Sequence, residues 1–219
     1  NDSESPPPII HWRNDLRRSL TIVDIVTRDR NSLFEKLTGA FSVASLNILG
    51  ARAVTRKDGL AIDVFYVEDK NGGVVDDPKI RQLCESSIRS FLADKISPDE
   101  LISEKKKKAD RSQRFSNQDK LGERIASQVD VYRDISLNRT IVEVRAPDQV
   151  GLLHLIAKTI STCGFSIQFA RIATEQGIAT DVFNIEPLES KEPFSPIRFL
   201  ELREKLSAAL HEGKFYHEV

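Results

Sequence analysis

One pattern, written twice, limits what this chain can fold into. Residues 21–68 and 140–186 run in parallel: TIVDI answers TIVEV, DRNSLF answers DQVGLL, LNILGARAVT answers FSIQFARIAT, and AIDVFYVE answers ATDVFNIE. Identities fall at matched places, among them Thr21/Thr140, Asp29/Asp148, Leu33/Leu152, Ala51/Ala170, Arg52/Arg171, Gly59/Gly177, Asp63/Asp181 and Phe65/Phe183. The second copy is one residue shorter, just before its glycine. Register held through strand, helix and hairpin is the mark of a repeated supersecondary unit. A length of 219 residues suits either one large domain or two small ones, and the repeat requires two.

Each copy reads in the same order. Residues 20–26 alternate and are rich in branched side chains, which predicts a strand. Leu33, Leu37, Phe41 and Ala44 recur at helical spacing over 32–45. Residues 47–55 and 60–68 are strands joined by Arg56-Lys57-Asp58-Gly59, where Asp-Gly supplies the positive φ of a hairpin. Asp76-Asp77-Pro78 opens a helix with an acidic cap and proline in the first turn, and Ile80, Leu83, Cys84, Ile88 and Phe91 line one side. A fourth strand is needed. The next residues are polar and include Lys105-Lys106-Lys107-Lys108, so the reading places that strand at 128–133, after a charged insertion at 98–126. The second copy supplies a strand at 140–145, a helix at 151–162, strands at 166–174 and 178–186, and a helix at 196–211. In that last helix Phe199, Leu202, Leu206 and Leu210 face inward, and residues 214–219 close the sheet.

The expected fold is therefore α+β: two ferredoxin-like βαββαβ units, antiparallel sheets with helices on one face. The expected boundaries are a linker or tail at 1–15, a first domain at 16–134 and a second at 138–219. Three prolines in SESPPP stiffen the tail. Trp12, the lone tryptophan, is expected on the first domain's surface.

Composition narrows the function classes. A net charge of −1 gives no general pull toward nucleic acid or membrane. No apolar run is long enough to span a bilayer, and the start has no signal-peptide pattern. Cys84 and Cys163 read as free thiols in helices, which points to a reducing cytoplasm. The chain opens on Asn1 and contains no methionine, so it reads as a piece of something larger. His11, His154, His211 and His217 have no metal-ligand spacing, and there is no phosphate loop, nucleophile elbow or paired-cysteine motif. No catalytic residue, metal or cofactor is expected in this chain. The lysine run raises RNA binding, since RNA-recognition domains share this strand order. Those domains need exposed aromatics on the sheet, and here the middle strands offer single phenylalanines, Phe65 and Phe183. A solvated linker is the simpler reading of the lysines. Arg52 and Arg171, matched with Asp63 and Asp181, read as cross-strand ion pairs.

The Asp-x-x-Gly-type turn before the first helix, with Asn-Ile or Ser-Ile opening the second strand, resembles the ACT domain. Two copies around a charged insertion, carrying TRDRNSLFEKLTGAFSVASLNILGARAVTRKDGLAIDVFYVED and APDQVGLLHLIAKTI, resemble more specifically the C-terminal tandem ACT region of uridylyltransferase/uridylyl-removing enzymes. The resemblance runs from about residue 15 onward. It implies a regulatory, amino-acid-sensing role, with glutamine as ligand. The implied partners are the catalytic domains of a parent enzyme and a PII-type protein as that parent's substrate, with a homodimer as a further option. The alternative is a stand-alone double-ACT amino-acid-binding protein. The family's usual turn is Asp-Arg-Pro-Gly. This chain has Asp29-Arg30-Asn31-Ser32 in one copy and Asp148-Gln149-Val150-Gly151 in the other.

The turn chemistry fits an amino acid. A helix start offers free N–H groups to a carboxylate, glycine admits close approach to the backbone, and an aspartate can receive an ammonium. The bland alternative is that Asp29 and Asp148 only cap their helices. The resemblance implies a second wall at the opening of the neighbouring unit's second strand: Asn47, Ile48 and Leu49, or Ser166, Ile167 and Gln168. Asn47 and Gln168 suit a carboxamide. The candidate ligand residues are thus Asp148, Gln149, Val150 and Gly151 with Asn47, Ile48 and Leu49, and Asp29, Asn31 and Ser32 with Ser166, Ile167 and Gln168. The first set, with the open glycine, is expected to be the stronger. His154, on its helix surface, is a lesser candidate.

Overall fold

A computed structural model describes residues 6–113, 126–136, 139–188 and 196–212, the side chains of 109–113 and 212 excepted. The chain divides into two compact units, Asn1–Phe115 and Ser116–Val219.

The first unit runs β1 (Ile9–Asp15), β2 (Leu20–Arg28), α1 (Leu33–Val43), β3 (Asn47–Thr55), β4 (Leu60–Glu68), α2 (Pro78–Leu92) and α3 (Pro98–Gln113). Its strands pair antiparallel in the order β1-β2-β4-β3. The second unit runs β5 (Gln128–Asp134), β6 (Arg139–Pro147), α4 (Leu152–Thr162), β7 (Phe165–Arg171), the two-residue β8 (Thr174–Glu175), β9 (Ile178–Pro187) and α5 (Pro196–Glu212). Its order is β5-β6-β9-β7, with β8 also on β9. Both units are ferredoxin-like antiparallel sheets backed by helices.

The fourth sheet position is filled from an unexpected place. Residues 9–15, read as a tail, form β1 and pair along β2 from Ile9↔Val26 to Asp15↔Leu20. Residues 128–134, read as the close of the first sheet, pair with β6 from Gln128↔Arg145 to Asp134↔Arg139, so they belong to the second unit. The order in each unit is ββαββα. A tight antiparallel turn costs less loop closure than a return across the insertion. The turn chemistry repeats too: the Asp15 carboxylate accepts from the N–H groups of Arg17 and Arg18 at 3.1 and 3.2 Å, and that of Asp134 from Ser136 at 2.9 Å. Residues 214–219 lie outside the described residues, and the place beside β6 is held by β5.

β1 is held to α2 by its polar side chains. Trp12 Nε1 donates to Glu85 at 3.0 Å under the Arg81 guanidinium, 5.5 Å from the ring. Arg13 grips Asp24 on β2 with two bonds of 2.9 and 3.1 Å, which raises the guanidinium and holds the carboxyl below its usual range. The α1 stripe Leu33, Leu37, Phe41 and Ala44 is buried as read, with the Phe41 and Phe65 rings 4.7 Å apart and tilted by 43°. α2 begins as read, with the Asp77 carboxylate accepting from Lys79 N–H at 2.8 Å. It buries Cys84, Ile88 and Phe91, but Leu83 is 46% exposed, because it lies about 100° round the helix from Cys84. In α5, Leu202, Leu206 and Leu210 are buried as read. Both cysteines are free.

The charged insertion is better packed than its composition implies. Residues 98–113 form α3, and Ile102 is buried. Lys105 Nζ donates to the Ser42 and Val43 carbonyls and to Ser45 Oγ, closing the C-terminal end of α1, and burial draws its amine down to about 8. Residues 114–125 of that insertion lie outside the described residues. Among the described residues, no helix is long and apolar enough to cross a membrane.

Candidate functional site

Each unit builds the same corner between its first repeat strand and the helix that follows. In the first unit, Asp29 N–H donates to the Gly59 carbonyl at 2.9 Å, which ties the turn to the β3–β4 hairpin. In the second, Asp148 N–H donates to Gly177 at 2.8 Å. Gly59 and Gly177 have φ of 75° and 76°, left-handed backbone that favours glycine, as the Asp-Gly signal anticipated for the first.

The helix then starts from a left-handed residue. Ser32 has φ 59° and ψ 20°, Gly151 φ 79° and ψ 9°, and neither makes a side-chain capping bond. The capping reading of the aspartates is thereby corrected: each N-cap is the fourth residue of its turn. Asp29 instead accepts from Arg30 N–H at 2.9 Å, and Asp148 from Gln149. First-turn N–H groups of α1 and α4 have no cap from those residues, and the positive end of each helix dipole lies beside a carboxyl group. The braces differ. Arg30 donates to the Leu92 carbonyl, at the end of α2, at 2.6 Å, whereas Gln149 occupies that place in the second turn.

Behind each turn sits an acid that the sequence reading had placed elsewhere. Asp63 pairs with Ile25 and is 3% exposed; Asp181 pairs with Val144 and is 1% exposed. Arg52 pairs with Val64, one residue along from Asp63, and Arg171 with Val182. Adjacent strand positions point to opposite faces, so the expected ion pairs do not form: the arginines are exposed and the acids are buried under the helices. Burial first, and the neighbouring turn aspartate second, push both carboxyls up to about 7. Val54 N–H donates to Asp63 and Ala173 N–H to Asp181, which offsets part of that rise. Asp148 is exposed at its rim, yet enough protein surrounds it that burial pushes its carboxyl up as well. Two buried oxygens beside these acids have no hydrogen-bond partner: Thr27 Oγ1 in the first unit and Asp181 Oδ1 in the second.

The strand-opening candidates lie at the far end of each unit. Asn47 pairs with Glu68 while Thr55 pairs with Ala61, so residues 47–49 sit across the sheet from the turn tied to Gly59. Ser166 pairs with Glu186, likewise distant from Gly177. Within a unit, therefore, turn and strand opening are not brought together. Both openings carry a register shift, between Ile48 and Gly50 and between Ile167 and Phe169, which sets Leu49 and Gln168 at matched bulges. Asn47 is exposed, Ile48 and Ile167 are buried, and Gln168 Nε2 donates to Ser166 Oγ at 3.0 Å. His154 is 3% exposed, so it is a core residue and not part of the helix surface.

Asp63 and Asp181 were missed as site residues although their parity was visible. In AIDVFYV, Asp63 stands on the same face as Ala61, Phe65 and Val67, all buried. Phe65 and Phe183 are fully buried, so neither ring is open to stacking; Tyr132 on β5 and Phe169 on β7 are exposed. Among the described residues no group of three or more His, Cys, Asp or Glu could hold a metal ion.

No protein-family model matches the chain. It is similar to bifunctional uridylyltransferase/uridylyl-removing enzymes: that of Azospirillum brasilense at 28% identity over 93% of this chain, and that of Phenylobacterium zucineum at 31% over 91%. In both cases the chain spans 21% of the relative's length, so it matches a small region of those enzymes. The solved structure of a glycine cleavage system transcriptional repressor covers 87% of this chain and 90% of its own at 13% identity, with a TM-score of 0.27, too slight a likeness to bear on fold or function.

Proposed function

We propose that this chain is an amino-acid-sensing regulatory region of a uridylyltransferase-like enzyme, with glutamine as the favoured ligand. The observation that carries the reading is the duplicated turn: a left-handed N-cap residue, a helix start without a side-chain cap, and an aspartate beside it. A free amino acid offers the complementary pair of charges. Its carboxylate matches the helix N-terminus, an interaction of about 0.3–1 kcal/mol when exposed and up to ~2 kcal/mol when partly buried. Its ammonium matches the aspartate. A glutamine carboxamide needs both donor and acceptor, which Asn47 and Gln168 carry.

Similarity to a fifth of a bifunctional enzyme supports a regulatory rather than a catalytic role. The proposed partners are the catalytic domains of such an enzyme and, through them, a PII-type protein. Ligand binding would shift the parent from uridylyl transfer toward uridylyl removal, if it favours one state of the regulatory region over the other.

The second turn is proposed as the stronger site, because Gly151 leaves the backbone open where Ser32 adds a β-carbon. Calorimetry with the proteinogenic amino acids tests the reading, and Gly151→Val and Ser32→Val test the assignment. Glutamine should bind the unmodified chain, and Gly151→Val should abolish its tighter phase. If Ser32→Val abolishes it and Gly151→Val does not, the order of the sites is reversed. Alanine at Asn47 and Gln168 checks the carboxamide contacts, and unchanged affinity in both would remove them from the site.

A further inference from the structure

The Asp181 carboxyl is satisfied on one side only. Ala173 N–H donates to it, while Oδ1 is buried without a partner, and the residue is 1% exposed. Neither protonation state resolves this: a neutral acid needs an acceptor for its proton, and a carboxylate needs a donor at the second oxygen. Strand alternation makes this a core position, flanked on that face by Ala179 and Phe183 and opposite Val144. An apolar side chain would fit the pattern without an unpaired atom. The other repeat carries the same acid at the same place, with an unpartnered Thr27 hydroxyl on the same sheet face. Burial of an acid at both matched positions, each near a helix start without a side-chain cap, is the signature of a site shaped for something other than stability.

We propose that Asp181 and Asp148 form an ammonium-binding acid pair, in which a primary ammonium group settling at the second turn takes its buried carboxylate partner from Asp181 Oδ1. This rests on the amino-acid reading above and adds to it the residue that recognises the cationic end. A primary ammonium has three donors and a positive charge; it can bond both carboxyl groups and relieve the repulsion between them.

The pairing carries a proton with it. Burial and the charge of Asp148 hold Asp181 up at about 7, so below that pH a cation must displace a proton to bind. Of the groups packed around it, Asp148 from the turn is the one whose charge bears on it. The neighbouring positions on that face of β6 and β7, Val144, Ala146 and Ala170, do not titrate, and α4 carries one buried titratable residue, His154. Glu175 on β8 is exposed.

The experiment is calorimetric titration of the full chain with L-glutamine between pH 5.5 and 8.5, in two buffers of different ionisation enthalpy, with N-acetyl-L-glutamine as a probe lacking the ammonium. The expected result is affinity rising toward tenfold per pH unit below 7 and levelling above it, one proton released at low pH, and no binding of the acetylated probe. Asp181→Asn, checked for its fold by circular dichroism, should weaken binding at least tenfold at pH 8 and abolish the proton release. The same slope and affinity in Asp181→Asn would overturn the proposal while leaving the amino-acid reading intact. Tight binding of N-acetyl-L-glutamine would overturn it too. If the chain binds no glutamine at any pH, both readings fall together. Should Asp181→Asn fail to fold, Asp181→Ser serves in its place, and an unchanged pH profile there sinks the proposal.

Discussion

The two units solve one backbone problem with different residues. Both need a left-handed residue between strand and helix; one uses Gly151, the other Ser32. Left-handed backbone costs an ordinary L-residue roughly 1–2 kcal/mol. The first unit holds the turn with Arg30, donating to the end of α2. The same division appears at the other end of the same helices. The last carbonyls of α1 receive Lys105 from α3, whereas those after α4, at Cys163 and Gly164, lie 3.4 and 3.5 Å from Arg198 of α5, which also sits 4.8 Å over Phe165. The comparison separates the demands of the scaffold from the residues that meet them. Chain direction, hairpin tether and buried acid are common to both units; turn openness and bracing are not. The scaffold holds the acid in both units while the turn varies between them.

The buried acids give the largest test of what is common. Asp63 and Asp181 rise from 3.8 to about 7 on folding. The folded chain then binds more protons at these two groups than the unfolded chain between those values, so their contribution to stability is full below about pH 4 and is lost as pH rises through 7. A displacement of that size corresponds to up to ~4 kcal/mol per carboxyl. Urea unfolding from pH 4 to 8 should show the decline, and Asp63→Asn and Asp181→Asn should each remove about half of it. A curve flattened by only one of them would break the equivalence of the units.

The turns give the next effect, and here the units should diverge. Gly151→Ala should cost about 1–2 kcal/mol, since a β-carbon enters left-handed backbone, while Ser32→Gly should gain up to ~1 kcal/mol. Denaturant midpoints measure both. A gain from both substitutions would mean that the two conformations are not alike.

Bracing should distinguish the units by a smaller margin. Arg30→Ala should cost about 1 kcal/mol and speed amide exchange in the first turn of α1, and Gln149→Ala should leave α4 unchanged. Smallest are the cations at the helix ends: Lys105→Met and Arg198→Met should each cost about 0.3–1 kcal/mol, with frayed exchange confined to the ends of α1 and α4 respectively. Fraying in the wrong helix would show that the braces had been assigned to the wrong elements.

Sequence alone determined the repeat, the helix and strand positions within it, the Asp-Gly hairpin and most of the core, because each is a local property. Alternation, 3.6-residue spacing and the demand for positive φ act within a few residues, and Leu37, Phe41 and Gly59 obey them. The site was half legible. The turns were visible as motifs, and Asp63 and Asp181 were visible as matched residues, but an assumed ion pair with Arg52 and Arg171 set aside their strand parity. The true extent of the repeat was also there to read: Asp15 and Asp134 stand at the same offset as Thr21 and Thr140. β1 escaped notice because a strand at the sheet's end, tied to α2 by Trp12, Asn14 and their partners, can be as polar as a tail. What only the tertiary structure decided was pairing and environment. Residues 128–134 have an alternation that either sheet could accept, and the short turn to β6 made the choice. Lys105 looked like one of four solvated lysines until α1 presented three oxygens to it. Hydrogen bonds and burial between residues far apart in sequence carry no local period, so they appear only when the chain has closed on itself.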